Sequence, residues 1–171
     1  MVVIDLNFNN PKLRKTIKSL AEFLDEVHES LERAIEGIKI QELNWRSSPN
    51  SNSIGNLLKH ILGAEAFWIH HIIGGRETRR VRASEFETQE FQFNQLLEEF
   101  FQVKEQTKLV LAEVRDEQLI ELRTYWSQLS NQTKETTVFW CLMHIIEHSA
   151  LHIGQILFIR KMYGDSQKVM A

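Results

Sequence analysis

The chain has 171 residues, of which 43% are hydrophobic and 25% charged, and its formal net charge is −3. This length and composition indicate one soluble globular domain, residues 1–171. The slightly negative charge and the lack of a long basic run exclude the electrostatic pattern of a nucleic-acid-binding protein. No stretch reaches the roughly 18 uninterrupted apolar residues of a membrane span, so we expect no membrane partner.

Cysteine content and the amino-terminal sequence bear on the cellular compartment. The single cysteine, Cys141, has no partner for an internal disulfide. Residues 1–7 lack the basic region and small-residue cleavage site of a secretory signal. The sequence therefore predicts a reducing, cytoplasmic location. A catalytic thiol needs a base and some exposure, so we expect Cys141 to be buried and inert.

The first half of the chain predicts two helices. With only two prolines and seven glycines, long segments lack residues that break helices. Apolar residues recur every three or four positions over residues 11–43, which predicts a helix that begins at Pro11 with Asn10 as its cap. His28 lies off this apolar stripe, and we expect it to be solvated or partly buried. A second helix is predicted over residues 53–73, ending at Gly74.

The second half predicts two more helices and a connection between them. The third helix is predicted over residues 87–114 and the last over 133–163, ending at Gly164 with a loose tail beyond it. The connection 115–132 contains an extended piece around residues 122–126. Long helices with one moderately long connection predict an all-α fold, an up-and-down four-helix bundle.

Four arginines cluster in the connection that follows the second helix: Arg76, Arg79, Arg80 and Arg82. Charged runs are usually solvated surface, and we interpret this cluster in that way. A site for an anionic ligand is the alternative.

The last helix is unusually apolar. Between residues 138 and 159 its only charged residue is Glu147. A helix that is apolar on every side is buried on every side. We therefore expect one side to face the core and the other to face a second subunit or a covering loop. If a second subunit covers this helix, the protein is a homodimer.

Three histidines, His144, His148 and His152, follow one another at four-residue spacing in this helix. Successive members lie one turn apart on one face, so two imidazoles can converge on one ion at about 2.1 Å each. His144 and His152 are about 12 Å apart along the axis, too far to share an ion. The usable pair is therefore His144 with His148, or His148 with His152.

The packing phase of the helix favours the second pair. A seam with alternating spacings of four and three contains His148 and His152 and leaves His144 on one flank. The members of this seam are Cys141, Ile145, His148, His152, Gln155, Ile159 and Met162. The alternative is that the spacing is structural or accidental and binds no metal.

His60 is the leading candidate for a third ligand. It lies on a strongly apolar helix, and the small residues Gly63 and Ala64 leave room beside its imidazole one turn on. His70 and His71, near the helix end, are expected at the surface. Three histidines leave a coordination position open for water or substrate. All-nitrogen ligation suits Zn, Ni, Cu or Fe.

Two motifs carry a resemblance to a known family. His148-Ser-Ala-Leu-His152-Ile-Gly-Gln resembles the HxxxHxGQ element of the DinB-like (YfiT-like) superfamily. Ser-Ile-Gly-Asn-Leu-Leu-Lys-His-Ile at residues 53–61, followed by Trp68, resembles its earlier ligand-bearing helix. The resemblance covers nearly the whole chain. It implies a four-helix bundle, often dimeric, with a divalent metal on His60, His148 and His152.

The same resemblance implies a range of functions. Relatives include S-transferases and isomerases that use low-molecular-weight thiols such as bacillithiol or mycothiol. The implied protein is a metal-dependent transferase or hydrolase that acts on a small-molecule substrate, with a low-molecular-weight thiol as a candidate. Zn or Ni is the favoured ion, with Fe, Mn or Cu as alternatives. The other hypotheses are a non-catalytic metal-binding or stress-related binding protein and a structural dimer with an empty site.

Three further residues are predicted to lie beside the ligands: His144, Glu147 and Gln155. Glu147 is a candidate partner for a histidine N–H, or it faces solvent or a dimer partner. Gln155 orients a ligand or makes a hydrogen bond in the core. The chain departs from the thiol-transferase pattern at Leu151 and Ile153, where relatives often carry a histidine and an arginine. The sequence assigns no catalytic residue.

Overall fold

The computed structural model describes residues 16–78, 80–87 and 89–169, and these are mainly helical. In chain order the elements are α1 (Thr16–Ile35), α2 (Ile40–Asn44), α3 (Ile54–Glu65), a π-helix (Ala66–Ile73), a 3₁₀ helix (Arg82–Phe86), α4 (Phe93–Glu113), a second 3₁₀ helix (Asp116–Ile120), β1 (Leu122–Ser127), β2 (Gln132–Thr137) and α5 (Val138–Val169). The prediction of a mainly helical protein is confirmed. The prediction of an all-α fold did not include the two strands.

The four long helices share one hydrophobic core. α1 contacts α4 and α5, and α3 also contacts α4 and α5. Each long helix supplies side chains that are almost fully buried, among them Leu24, Leu31, Leu57, Ile61, Phe100, Leu142 and Ile145. Burial of such side chains is the main favourable contribution to folding. Because α3 and α5 are in contact, their histidines can meet.

The first predicted helix, residues 11–43, is divided in the structure. α1 ends at Ile35, and Gly37 has a φ of 68°. This left-handed backbone conformation favours glycine and ends the helix. α2 then begins at Ile40. The predicted start at Pro11 and the cap at Asn10 lie outside the described residues.

The second predicted helix agrees with the structure at both ends. The Ser53 hydroxyl accepts the Asn56 N–H at 3.2 Å, and the Asn56 side chain accepts the Ser53 N–H at 3.1 Å. This reciprocal capping fixes the start of α3. The helix widens into the π-helix Ala66–Ile73, and the Gly74 N–H bonds to the Ile69 carbonyl at 2.9 Å. One element therefore carries both His60 and the aromatic residues that follow it.

A β-hairpin stands where the sequence predicted the start of the last helix. β2 (Gln132–Thr137) pairs antiparallel with β1, in register from Leu122↔Thr137 to Ser127↔Gln132. The prediction of an extended piece at residues 122–126 is confirmed, whereas the helical start at 133 is wrong. Three threonines in β2 favour a strand. α5 starts at Val138 and continues past the predicted end at Gly164 to Val169.

The core-facing side of α5 is displaced from the predicted seam. Ile153 and Ile156 are buried, whereas Gln155 is exposed. His148 and His152 are therefore half-buried at the edge of the core. The opposite side of α5 exposes large apolar side chains: Phe139, Trp140, Met143, Leu151, Leu157 and Phe158.

The segment Val138–Lys168 of α5 is long and apolar enough to cross a membrane, with a mean hydropathy of 1.3 in its 18-residue window. Within the protein 33% of that window is buried. One such helix is weak evidence for a membrane span, because core helices of water-soluble proteins pass the same test. Length and composition alone therefore do not assign α5 to a membrane.

Candidate metal centre

Three histidines from two neighbouring helices, α3 and α5, meet in one cluster. His60 lies on α3, and His148 and His152 lie on α5. One ring nitrogen from each lies within 4.8 Å of the others. The Nε2 atoms of His60 and His148 are 3.0 Å apart. The structure thus brings together the three residues that the sequence analysis singled out as ligands.

A buried carboxylate orients the first of these imidazoles. Glu85 Oε2 lies 2.7 Å from His60 Nδ1. Arg80 donates to both oxygens of Glu85, from Nε at 2.6 Å and from Nη2 at 2.9 Å. A carboxylate accepts a hydrogen bond from Nδ1–H, which leaves the lone pair of Nε2 pointing at the cluster. The sequence analysis did not identify Glu85.

Electrostatics keep Glu85 ionised. Burial alone would raise the pKa of its carboxyl, but hydrogen bonds from His60 and Arg80 and the charge of Arg80 lower that pKa below its ordinary value. An ionised acceptor makes a stronger hydrogen bond to an imidazole than a neutral one does.

Gly63 makes room for this carboxylate. A Cβ at Gly63 would overlap the Glu85 carboxylate and would come within 3.2 Å of Arg80 Nε. The sequence analysis expected small residues here to leave space beside the imidazole of His60. That space is present, and Glu85 fills it.

The imidazoles of His148 and His152 differ in whether Nδ1 has a hydrogen-bond partner. His152 Nδ1 lies 2.8 Å from Gln155 Oε1, so a proton on Nδ1 leaves Nε2 free. Gln155 therefore sits where it can orient His152. The buried Nδ1 of His148 has no hydrogen-bond partner within residues 16–78, 80–87 and 89–169.

Burial favours the neutral, ligating form of the two α5 histidines. The pKa of His148 is lowered to about 3, by burial first and then by the neighbouring His152, His60, His144 and Arg80. The pKa of His152 is also lowered, again mainly by burial. Neutral imidazole is the form that binds metal.

The set of three imidazole nitrogens, and the spacing of the first two, are compatible with a divalent ion. Two nitrogen ligands on a tetrahedral ion are roughly 3.4 Å apart when each bond is about 2.1 Å. The 3.0 Å between His60 Nε2 and His148 Nε2 is close to that separation. Three nitrogens leave a position for water or substrate, which is the arrangement of a catalytic site and not of a closed structural one.

A comparison with family models identifies the lineage. The model described as mycothiol S-transferase matches residues 19–164, which is most of the chain. The chain belongs to the mycothiol S-transferase family. Its membership of the DinB-like superfamily, inferred from the histidine motifs, is thereby confirmed. Among proteins with curated descriptions, none is significantly similar to this family member.

Solved structures share the fold of this mycothiol S-transferase family member. A DinB-like protein from Bacillus cereus superposes with a TM-score of 0.70 at 16% identity, over 88% of this chain and 95% of that one. A conserved protein from Enterococcus faecalis has a TM-score of 0.63, also at 16% identity, over 85% and 95% of the two chains. At this level of identity the likeness concerns the fold alone.

A cavity of about 220 Å³ opens beside the histidines of this family member. His60, His148 and His144 form one wall. Aromatic side chains of the π-helix and the hairpin form much of the rest: Phe67, Trp68, Tyr125 and Trp126. Tyr125 packs edge-on against Trp68, with ring centroids 4.8 Å apart. The hairpin that the sequence analysis only partly predicted therefore shapes the pocket.

Of the other two residues predicted beside the ligands, His144 lies near the cluster and Glu147 faces solvent. His144 is half-buried, stacks on Trp140 at 4.6 Å and lies 5.6 Å from the ring of His148. Glu147 is exposed, and within the described ranges its carboxylate makes no hydrogen bond or ion pair. The histidine–carboxylate contact of this site is made by Glu85 instead.

Neither position that departs from the thiol-transferase pattern reaches the pocket. Leu151 is 62% exposed, and Ile153 is buried in the core. Arg80, Arg82 and His144 supply polar and charged groups at the pocket wall.

Two histidines outside the cluster, His28 and His70, are more deeply buried than the sequence predicted. His28 was expected to be solvated or partly buried, yet it is buried, with Nε2 2.9 Å from Glu65 Oε2. His70 was expected at the surface, yet it is buried, with Nε2 3.0 Å from Thr107 Oγ1. His71 is exposed, as expected. The buried histidines are held by a second polar network within the helices.

Cys141 is fully buried, and burial raises the pKa of its thiol to about 12. A thiol with so high a pKa supplies no thiolate near neutral pH. The expectation that Cys141 is buried is confirmed.

Proposed function

We propose that this protein is a metal-dependent enzyme that transfers a low-molecular-weight thiol to an electrophilic small molecule. The observation that carries the proposal is the convergence of three imidazoles, His60, His148 and His152, of which His60 and His148 line an aromatic pocket. Membership of the mycothiol S-transferase family supports a thiol as one substrate.

The three histidines would hold a divalent ion, with Zn or Ni favoured and Fe, Mn or Cu as alternatives. Such an ion lowers the pKa of a thiol or water bound to it and so supplies a nucleophile near neutral pH. Glu85 and Gln155 hold the Nδ1 protons of His60 and His152, which fixes the orientation of both rings.

The pocket walls would position the reactants. Phe67, Trp68 and Tyr125 line the cavity next to the histidines. A ligand packed against these side chains would exclude water, which strengthens electrostatic interactions inside the site. In the transfer, the thiol sulfur forms a bond to an electrophilic carbon, and the bond from that carbon to its leaving group breaks. The leaving group departs with the electron pair, and the thiol proton passes to solvent. With water in place of the thiol, the same site would catalyse hydrolysis.

Metal content tests the foundation of this proposal. Untagged wild-type protein is expected to carry near-stoichiometric metal by elemental analysis, and a His148→Ala/His152→Ala variant is expected to carry almost none. His71→Ala is the matched control, because His71 is an exposed histidine outside the cluster. Equal metal in the wild type and the double variant would show that the site is assigned wrongly. A wild type without metal would favour the structural dimer with an empty site.

Turnover tests the chemistry. A low-molecular-weight thiol is incubated with an aryl halide electrophile, and the thioether product is measured with the metal-loaded protein and with the double variant. We expect product formation only with the loaded wild type and only when thiol is present.

A non-catalytic metal-binding or stress-related binding protein is the second candidate. The observation in its favour is that apolar Leu151 and Ile153 occupy positions where thiol transferases often carry polar groups, and both side chains lie away from the pocket. Stoichiometric metal without turnover of any thiol–electrophile pair would support this candidate.

We also propose that the helices form an up-and-down bundle and that the protein is a homodimer. The support for the dimer is the exposed apolar side of α5, where Leu151, Leu157 and Phe158 are each more than half exposed. Contiguous apolar surface of this kind marks interfaces. Sedimentation tests the dimer: Leu151→Glu/Phe158→Glu is expected to be monomeric, whereas Phe101→Glu, at an exposed position on α4, is expected to behave as the wild type.

A cytoplasmic location completes the proposal. Its support is the single cysteine, which offers no internal disulfide to an oxidising compartment. Fractionation of cells that express the untagged protein tests it, and recovery in the membrane pellet would contradict it.

A further inference from the structure

Arg82 lines the same pocket as His60 and His148, and within the described residues no carboxylate compensates its charge. Its guanidinium lies over the ring of Phe86, 5.0 Å from the centroid. Across residues 16–78, 80–87 and 89–169, no carboxylate forms an ion pair with Arg82.

The neighbouring arginine differs in this respect. Arg80 also lines the pocket, but it donates two hydrogen bonds to the Glu85 carboxylate, which neutralises its charge. Both arginines belong to the cluster that the sequence predicts as solvated surface, with an anionic-ligand site as the alternative. The structure separates them into a paired residue that supports His60 and an unpaired one at the pocket wall. Arg79, between them, lies outside the described residues.

The walls near Arg82 suit a flat, apolar ligand. Phe67, Trp68 and Tyr125 line the cavity, and the hairpin adds Trp126 and Leu129, which are 55% and 79% exposed. Exposed apolar side chains at the rim of a pocket gain free energy when a ligand covers them. The charged and the apolar surfaces thus border one cavity.

We propose that Arg82 is a specificity-determining residue, which pairs with a carboxylate on a substrate whose aromatic or other planar apolar body packs against the hairpin. A guanidinium presents N–H groups in a fixed planar fork that matches the two oxygens of a carboxylate. The aromatic walls reduce the local polarity, so the pair is worth more there than in water. Such a carboxylate would be the electrophilic substrate of the proposed transferase. Its role as a reactant rests on the proposed function, whereas its binding to Arg82 does not.

Binding of benzoate and benzamide tests the proposal, because the two probes share a ring and differ in the charged group. Quenching of tryptophan fluorescence reports binding, since Trp68 and Trp126 line the cavity. Both probes are titrated into metal-free and zinc-loaded full-length protein. The variants are Arg82→Gln and Arg82→Lys, with Arg76→Gln as the matched control. Arg76 belongs to the same arginine cluster but bonds to Gln106 and does not line the cavity.

In the metal-free wild type we expect benzoate to bind about tenfold more tightly than benzamide. Arg82→Gln is expected to remove this preference and leave benzamide affinity unchanged, which a general loss of structure would not do. Arg82→Lys is expected to retain part of the preference, because the charge remains while the planar fork is lost. Arg76→Gln is expected to match the wild type.

Three results would overturn the proposal: a preference for benzoate that survives Arg82→Gln, no binding of benzoate to the wild type, or a preference that appears only in zinc-loaded protein and disappears in His148→Ala. The last result would show that the ion recognises the carboxylate. Failure of the protein to bind zinc or to turn over thiols would contradict the proposed function and leave the metal-free measurement of Arg82 intact.

Discussion

Glu85 Oε2 lies 2.7 Å from Nδ1 of His60, and the two residues are brought together from a 3₁₀ helix and from α3. Arg80 holds the same carboxylate. Arg80, Glu85 and His60 are thus linked in series, from the segment that follows the π-helix to the histidine cluster. The orientation of one proposed ligand thus depends on a segment that carries none of the ligands.

Substitution of this carboxylate is expected to weaken metal binding. Glu85→Gln removes the charged acceptor from His60 Nδ1, and loss of such a partner typically lowers metal affinity roughly 10- to 100-fold. Competition with a chromophoric chelator measures the affinity, on protein that circular dichroism shows to be folded. Glu90→Gln, at an exposed glutamate, is the matched control and is expected to be neutral. Affinity within twofold of the wild type would argue against an orienting role for Glu85.

A methyl group at Gly63 is expected to displace the Glu85 carboxylate from its contacts with His60 and Arg80. The Cβ of Gly63→Ala would overlap the Glu85 carboxylate, and overpacking of this kind costs roughly 1–3 kcal/mol of stability. Gly164→Ala is the matched control: no atom lies within 4 Å of its Cβ position in α5, so it is expected to stabilise by roughly 0.5–1 kcal/mol. Urea unfolding measures both changes. Equal effects of the two substitutions would show that the Gly63 site is not tightly packed.

The histidine cluster could be predicted from the sequence because its geometry is mostly local. His148 and His152 lie one turn apart on any helix, and this relation holds whatever packs around α5. His60 could be proposed from its apolar helix and from the family resemblance. The core-facing side of α5 was predicted less accurately. This helix is apolar around most of its surface, so its sequence does not indicate which side meets the core.

Glu85 could not be predicted, and Arg82 was named only within the arginine cluster whose alternative interpretation is an anionic-ligand site, because tertiary packing alone brings both residues to the site. Both lie in a charged connection with no helical or strand periodicity, and such segments are usually solvated. β2 was missed for a related reason, since the helical pattern of residues 138–163 was extended backwards over its threonines. His28 was misplaced because its partner, Glu65, is distant in the sequence.

The second polar network is expected to contribute stability and not metal binding. Thr107 Oγ1 donates to Glu65 Oε1 at 2.6 Å and lies 3.0 Å from His70 Nε2. Thr107→Val leaves both partners buried without it, which costs roughly 1–3 kcal/mol. Urea unfolding measures the loss, and elemental analysis is expected to show unchanged metal. Thr124→Val, at an exposed position on β1, is the control and is expected to stay within about 0.5 kcal/mol of the wild type.

The metal-free protein is expected to lose stability as the pH falls below 6.5. The pKa of His148 is lowered from 6.5 to about 3 in the folded state, mainly by burial. The unfolded chain therefore binds one more proton than the folded protein between these two values, so stability is present above pH 6.5 and is lost as the pH falls towards 3. The lowered pKa values of His70, His144 and His152 act in the same direction.

His148→Gln isolates the contribution of one group to this pH dependence. Removal of one proton-binding difference lowers the slope of unfolding free energy against pH by about 1 kcal/mol per pH unit between pH 6 and 5. Urea unfolding of the wild type and the variant at pH 7, 6 and 5 measures the two slopes, with a chelator present so that metal does not compete with protons. Parallel slopes in the two proteins would mean that His148 is protonated equally readily in the folded and unfolded states, and that the imidazole is not as buried as the structure places it.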